Sequence, residues 1–346
     1  MNEKRTPALE FQIGREIMSL WVPQAIHAAA ELGIADALVK SPLSGPALAA
    51  RLSTHPDATE RLLAALAVIG LVVLEPTTKT FELTALGACL RSDAPNSRRA
   101  WARLMGGSAV WQAWGKLADC VRTGAPALRA ETEVFDTMLS DSEAAAVFHR
   151  AMFEGTSGQA AGIVATIDLA GVETVVDVGG GTGALLCAAL DAGPRASGQV
   201  FDLEHARASA EALFSERGLR ERASFSAGNL FSTPPPRADL LLLKSVIHDF
   251  DDERSLVILR HCRAALGERR RLVVVEPPAP EPGQPLTGPF AWIVAFSDLN
   301  MLVNTGGRER TRAEYVALFE AAGLQVDGVK PTAGGFYSCF ECVRAG

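Results

Sequence analysis

The second half of the chain alternates two hydrophobic rhythms. Short apolar runs at 175–178, 200–203, 223–226, 239–244 and 271–275 are separated by longer segments with helical spacing. Buried strands alternating with helices predict an α/β, Rossmann-like doubly wound sheet. Two last runs, 324–329 and 337–343, are joined only by the turn 331–335 and predict a closing antiparallel hairpin.

The first third has a different rhythm. Ile17, Leu20, Trp21, Gln24, Ala25 and Ala28 recur at helical spacing until Gly33. A short helix follows at 43–52, with Ser44 and Pro46 at its start, and a second at 58–69, closed by Gly70. The segments 71–75 and 81–84 then form a ribbon. Helix, turn, helix, ribbon predicts an N-terminal helical winged-helix domain over 1–97. Residues 98–166 read as a helical linker carrying Trp101, Trp111, Trp114, Phe135, Phe148, Met152 and Phe153. These side chains are either core or the wall of an apolar pocket for a flat ligand, with Trp111, Phe148 and Met152 the candidates for the wall. The sheet domain occupies 167–346.

Composition narrows the function classes. The net charge of −7 argues against general nucleic-acid affinity. The second helix of the winged helix offers mainly Arg61 among Glu60, Leu62, Leu63, Ala64, Ala65 and Leu66, whereas a DNA-reading helix needs several side chains that reach bases. Packing or dimerisation is the better reading, and the alanines of 25–30 suit a close partner helix. No apolar run reaches the roughly 18–20 residues of a membrane span. Residues 1–7 lack the apolar core of a signal peptide, so a cytoplasmic protein is expected. Cys339 and Cys342, with no second Cys/His pair of suitable spacing, read as reduced strand residues.

The chemistry begins at Val175-Val176-Asp177-Val178-Gly179-Gly180-Gly181-Thr182-Gly183, a strand running through a glycine turn into the helix at 184–190. Glycines there let a ligand lie against bare backbone and free helix N–H groups. Gly179, Gly181 and Ala184 fit a loose dinucleotide fingerprint, so NAD stays open, as does a purely structural turn. Asp177 favours another cofactor: a carboxylate there repels a pyrophosphate but suits the ammonium and sulfonium of S-adenosylmethionine. Asp202, at the end of the second strand, serves the ribose of either. The fourth strand ends in Lys244-Ser245-Val246-Ile247-His248-Asp249-Phe250-Asp251-Asp252-Glu253, the fifth in Glu276, and Glu309 follows Gly306-Gly307-Arg308. An imidazole flanked by carboxylates is held in one tautomer with its charged form stabilised, so His248 reads as a general base, or else as a satisfied structural histidine. Asp251, Asp252 and Glu253 read as the acidic first turn of a helix, and no cluster of Asp, Asn or His points to a metal.

The segments 242–253, 175–183 and 307–311 resemble the S-adenosylmethionine-dependent O-methyltransferases of the caffeic-acid and acetylserotonin type, a family with bacterial members that decorate aromatic natural products. The resemblance runs from about residue 10 to the end. It implies a homodimer formed through the N-terminal domain, a sheet with an antiparallel last strand, and a small aromatic hydroxylated substrate, with no nucleic acid or membrane partner. Carried over by position, His248 would be the base, flanked by Glu276 and Glu309, with Asp249 beside the acceptor. Gly179 would approach the methionine portion and Asp202, with Leu203 after it, the ribose. Gly228, Asn229 and Leu230 would border the adenine, with Lys244 nearby. Asn229 departs from the family's usual Asp, which implies a weaker or shifted adenine contact. Met301 and Asn304 fall where the family lines its acceptor pocket. N- or C-methylation, hydroxylation and, more remotely, a winged-helix regulator remain as alternatives.

Overall fold

Two compact units divide the chain, at 1–111 and 112–346, so the helical stretch 98–166 is shared between them. The computed structural model describes residues 8–127, 141–267, 270–285 and 287–346; Phe135 and residues 1–7 lie outside the described residues.

In the first unit the opening periodic run is two helices, α1 (Leu9–Met18) and α2 (Trp21–Leu32). The break falls just before Pro23, which sits in the first turn of α2, where a missing N–H leaves no helical bond unmade. After α3 (Ile34–Leu38) come α4 (Gly45–Leu52), capped by Ser44 Oγ on the Ala47 amide at 3.4 Å, and α5 (Pro56–Val68). The ribbon pairs β1 (Val72–Glu75) with β2 (Thr80–Leu83), antiparallel, Val72 opposite Leu83. Leu48, Leu63, Leu66 and Phe81 fill the core between them. Arg61 lies on the exposed side of α5, whose other side buries Thr59, Leu63 and Leu66. Helix α1 buries no residue and exposes Phe11, Ile13 and Ile17. Helix α6 (Arg99–Gly106) follows, and α7 (Ser108–Trp114) straddles the division.

The second unit opens with α8 (Leu117–Thr123) and the long α9 (Ser142–Val164), whose Asp141 cap accepts the amides of Glu143 and Ala144. Strands β3 (Thr174–Val178), β4 (Ser197–Asp202), β5 (Ala223–Ala227), β6 (Leu240–Lys244), β7 (Arg271–Glu276), β8 (Leu324–Pro331) and β9 (Ser338–Arg344) form one sheet in the order β5-β4-β3-β6-β7-β9-β8. The first five are parallel; β9 is antiparallel to both β7 and β8. Successive strand residues point to opposite layers. Val175, Leu240 and Leu242 join α9, α10 (Ala184–Ala192) and α11 (Arg207–Glu216) on one face. Val176, Leu241 and Leu243 join α12 (Asp252–Ala265) and α14 (Arg312–Ala321) on the other, with α13 (Ala291–Asn304) preceding α14 in the chain. Both faces are covered, which is why β6 is apolar at every interior position. Cys339 and Cys342 are buried free thiols on β9. Among the described residues no helix is long and apolar enough to cross a membrane.

Strand β3 pairs with β4 on one side and β6 on the other, so the chain order reverses there. Ligand crevices form outside the carboxyl ends of strands at such a reversal.

Candidate active site

A cleft of about 1150 Å³, including its open mouth, lies beyond those strand ends. Asp177, Gly179, Gly181, Asp202, Leu203, Gly228, Asn229, Leu230 and Lys244 all line it, together with Phe148, Met152 and Asp249. Its floor is bare backbone because Cβ atoms do not fit. One placed on Gly228 would stand 2.1 Å from the Phe201 ring, and one on Gly179 (φ 66°) 2.8 Å from Val246 Cγ2. Asp202 ties the turn to the sheet: Oδ2 accepts the Gly181 amide at 2.7 Å and Oδ1 the Leu203 amide at 2.6 Å. Each oxygen keeps a second lone pair for a ligand hydroxyl. Asp177 has a further task, because its Oδ2 accepts the Leu186 amide in the first turn of α10. Burial raises the Asp177 carboxyl to about 7, against the pull of that amide. A bound cation would draw it down again.

Asn229 spends its acceptor inside the chain, with Oδ1 taking the Phe231 amide at 2.8 Å. An Asp could hold the same turn with one oxygen and present the other to the cleft. Asn229→Asp is therefore expected to tighten a ligand that offers a hydrogen-bond donor at this point of the cleft by about fivefold in a calorimetric titration, the worth of roughly one hydrogen bond. Lys244 Nζ bonds Ser245 Oγ at 3.1 Å and sits 4.8 Å from the centre of the Tyr337 ring.

His248 stands on a one-turn 3-10 helix, Ile247–Asp249, just past β6. The turn is forced: Ser245 adopts a left-handed φ of 52°, and Glu276 Oε1 then accepts both the Val246 and Ile247 amides, at 3.0 and 2.9 Å. The segment carrying Glu309 lies against its far side. A Cβ on Gly307 would be 2.1 Å from the His248 carbonyl oxygen, and the Arg308 amide donates to that oxygen at 2.9 Å. His248 Nδ1 is 3.0 Å from Glu309 Oε1 and 3.7 Å from Glu276 Oε2. Ser297 Oγ donates to the same Glu309 oxygen at 2.7 Å. Among the described residues Glu276 Oε2 and Glu309 Oε2 are buried without hydrogen-bond partners. Burial opposes charge on the imidazole, but the carboxylates of Glu276, Glu309 and Asp249 outweigh it and hold its pKa well above the usual range. Asp249 is pushed up to about 7 by burial and the neighbouring glutamates, against the pull of His248. His248 is 13% exposed through its side chain, and Asp249, 3.9 Å from its Nε2, is the member of the pair that lines the cleft.

Several residues expected to line an acceptor pocket do not line this cleft. Met301 is buried on α13, and Asn304 donates to the Asn300 carbonyl and side chain; neither lines this cleft among the described residues. The Asn300 side-chain oxygen also takes Trp114 Nε1 at 3.0 Å, so this corner is an internal polar lock. Trp111 ends the first unit and is 39% exposed.

Arg310 carries a task that sequence reasoning missed. Its guanidinium, 1% exposed, donates to the carbonyls of Ile247 and Phe250, both at 2.9 Å, and to Asp252 Oδ1 at 2.7 Å. It clasps the turn that carries His248 from beneath. His149 and His205, which bond one another on the cleft wall at 2.9 Å, also went unread.

The strand order and the cleft at its reversal define the class, a Rossmann-like methyltransferase fold. Residues 114–325 match the O-methyltransferase domain and residues 16–93 the O-methyltransferase dimerisation domain, and the chain belongs to that family as an S-adenosylmethionine-dependent O-methyltransferase. It is 36% identical over 321 residues to the phenazine O-methyltransferase PhzM of Lysobacter antibioticus, covering 92% of each chain. The human N-acetylserotonin methyltransferase structure in complex with S-adenosylmethionine superposes with a TM-score of 0.89 at 27% identity, covering all of both chains. The chain is also 34% identical to the aclacinomycin 10-hydroxylase RdmB of Streptomyces purpurascens, over 90% of this chain and 83% of that one.

Proposed function

We propose that this enzyme methylates a hydroxyl of an aromatic small molecule in natural-product biosynthesis, with His248 as general base and no metal ion. The relatives named for phenazine and acetylserotonin acceptors support an aromatic ring, and Phe148 and Met152 supply apolar wall for one. The observation that carries the reading is the 3.0 Å bond from His248 Nδ1 to Glu309. With that proton donated to the carboxylate, Nε2 keeps its lone pair for an acceptor hydroxyl.

The cleft suits S-adenosylmethionine: glycine backbone without Cβ groups, and the acids Asp177 and Asp202 at adjoining strand ends. When bound, the cofactor supplies an electrophilic methyl group on a cationic sulfur. The protein's part is to hold the acceptor oxygen in line and take its proton. A free imidazole near 6.5 facing a phenol near 10 would need on the order of 5 kcal/mol for full transfer. The carboxylates around His248 raise its affinity for a proton and so narrow that gap. Among the described residues no group of three or more His, Cys, Asp or Glu is set to hold a metal ion.

The pH dependence follows from the same charges. A base works unprotonated, and His248 is held above its ordinary range, so the rising limb of kcat/KM should lie above pH 6.5 and belong to the whole cluster. Glu309→Gln removes one of the negative charges that hold the proton, so the limb should move toward acid while kcat falls. A limb that moves toward alkali would contradict this assignment.

RdmB keeps the fold under a hydroxylase name, so the product must be measured. Mass spectrometry of hydroxylated aromatics incubated with methyl-labelled S-adenosylmethionine should show one labelled methyl on oxygen. A gain of oxygen, or label on nitrogen or carbon, would overturn the proposal. The exposed apolar side chains of α1 accord with a homodimer formed through the matched dimerisation domain.

A further inference from the structure

A pair of imidazoles stands on the wall of the cleft. His149, on α9, is 4% exposed, and its Nε2 lies 2.9 Å from Nδ1 of His205, with the ring centres 5.0 Å apart. His205 sits on the one-turn helix Glu204–Ala206, three residues beyond Asp202, and both histidines line the cleft. His205 Nε2 is buried and, among the described residues, has no hydrogen-bond partner. Leaving such a group unpaired is costly, so a ligand that pairs it gains affinity.

We infer that His205, fixed in orientation by His149, is a binding residue for the ribose of the cofactor. This rests on the cofactor occupying the cleft. The chemistry of the pair selects the ligand group. Burial, together with the neighbouring His205, pushes His149 down to about 4, so it is uncharged at neutral pH. If His149 donates across the pair, or if His205 is protonated, His205 Nε2 carries a hydrogen toward the ligand; if neutral His205 donates through Nδ1, Nε2 is an acceptor. A ribose hydroxyl serves every case, since it both donates and accepts. Asp202 beside it offers only acceptors, each oxygen already holding one backbone amide. The two residues are thus complementary: Asp202 accepts a hydrogen bond from one hydroxyl, while His205 Nε2 donates to or accepts from a hydroxyl according to its tautomer. The pair also fastens the long helix α9 to the loop after β4, so His149 acts through His205 as a positioning residue.

Calorimetric titration with S-adenosylhomocysteine and with its 2′-deoxy and 3′-deoxy forms tests this. His205→Phe, which keeps a ring and removes both nitrogens, should weaken S-adenosylhomocysteine by about tenfold, and His149→Phe by about threefold. At least one deoxy form should bind the unaltered enzyme about tenfold more weakly than S-adenosylhomocysteine, with that penalty falling to about threefold or less in His205→Phe. If His205→Phe does not fold, His205→Gln should show the same loss of discrimination. Unchanged affinity in the folded variant, or an undiminished deoxy penalty, overturns the inference. Asp202→Ala separates the two levels: weakened by Asp202→Ala but not by the His205 variant, binding refutes only the role of His205. Insensitivity to both refutes the placement of the cofactor.

Discussion

Replacing His248 by alanine should lower kcat by about 10²–10⁴ while the affinity for S-adenosylhomocysteine changes by no more than about twofold. The separation follows from the site's layout. The imidazole is 13% exposed and is not among the residues that line the cleft, whereas the residues proposed to hold the cofactor at the ends of β3, β4 and β6 line it. Truncation removes the atom proposed to take the hydroxyl proton and leaves the glycine turn, Asp202 and Lys244 as they are. The glutamates that flank the ring are buried, so the variant leaves two carboxyl groups facing a cavity. Glu276 already sits above the usual carboxylate range through burial, against the pull of His248. Without the imidazole it rises further and takes up protons in place of the ring, which limits the loss of stability. Glu309 keeps its bond from Ser297. Turnover measured beside a binding titration checks both halves. Undiminished turnover would remove His248 from the chemistry.

The second large effect is expected at Arg310, which is not among the residues that line the cleft. Arg310→Met keeps most of the side-chain volume but takes a 2.9 Å guanidinium bond from each of the Ile247 and Phe250 carbonyls, whose contacts with Ser255 Oγ are longer, at 3.3 and 3.4 Å. Two buried acceptors so weakened cost about 3 kcal/mol together. Asp252, 64% exposed, turns to water and adds little. For a unit of this size the melting temperature should fall by about 6–12 °C. The same change loosens the turn holding His248, so kcat should fall by more than KM rises, and about tenfold is a reasonable magnitude for a displaced base. Arg310→Lys keeps the charge without the fork that spans both carbonyls, and it should recover only part of either loss. A thermal melt and a rate profile on the two variants check this. A full melting-point loss with undisturbed kcat would make Arg310 a structural residue only.

The legibility of this molecule in its sequence tracks the range of the interactions. The segment 175–183 could be read because a glycine turn between strand and helix announces itself within nine residues. His248 could be read because strand β6 is apolar up to its end and the polar residues start abruptly. Arg310 could not, since its partners lie 63, 60 and 58 residues away and nothing local marks it as buried. Asp251 and Asp252 look alike in a string of acids. Only the structure separates Asp251, which caps α12 through the Arg254 amide, from Asp252, which pairs with Arg310. The pairing of His149 with His205 spans 56 residues and carries no periodic signal. Helical spacing likewise ran through Ser19 and Leu20, where the structure breaks the helix, because apolar periodicity records the face to be covered and not the continuity of the backbone.

The proposed mechanism turns on one proton leaving an acceptor hydroxyl for His248 Nε2. Its most direct test is a crystal structure with S-adenosylhomocysteine and a turned-over acceptor bound together. Nε2 should lie about 2.6–3.2 Å from the oxygen that is methylated, with that oxygen on the far side of the missing methyl from sulfur. An acceptor oxygen out of reach of Nε2 and bonded to another side chain would contradict it.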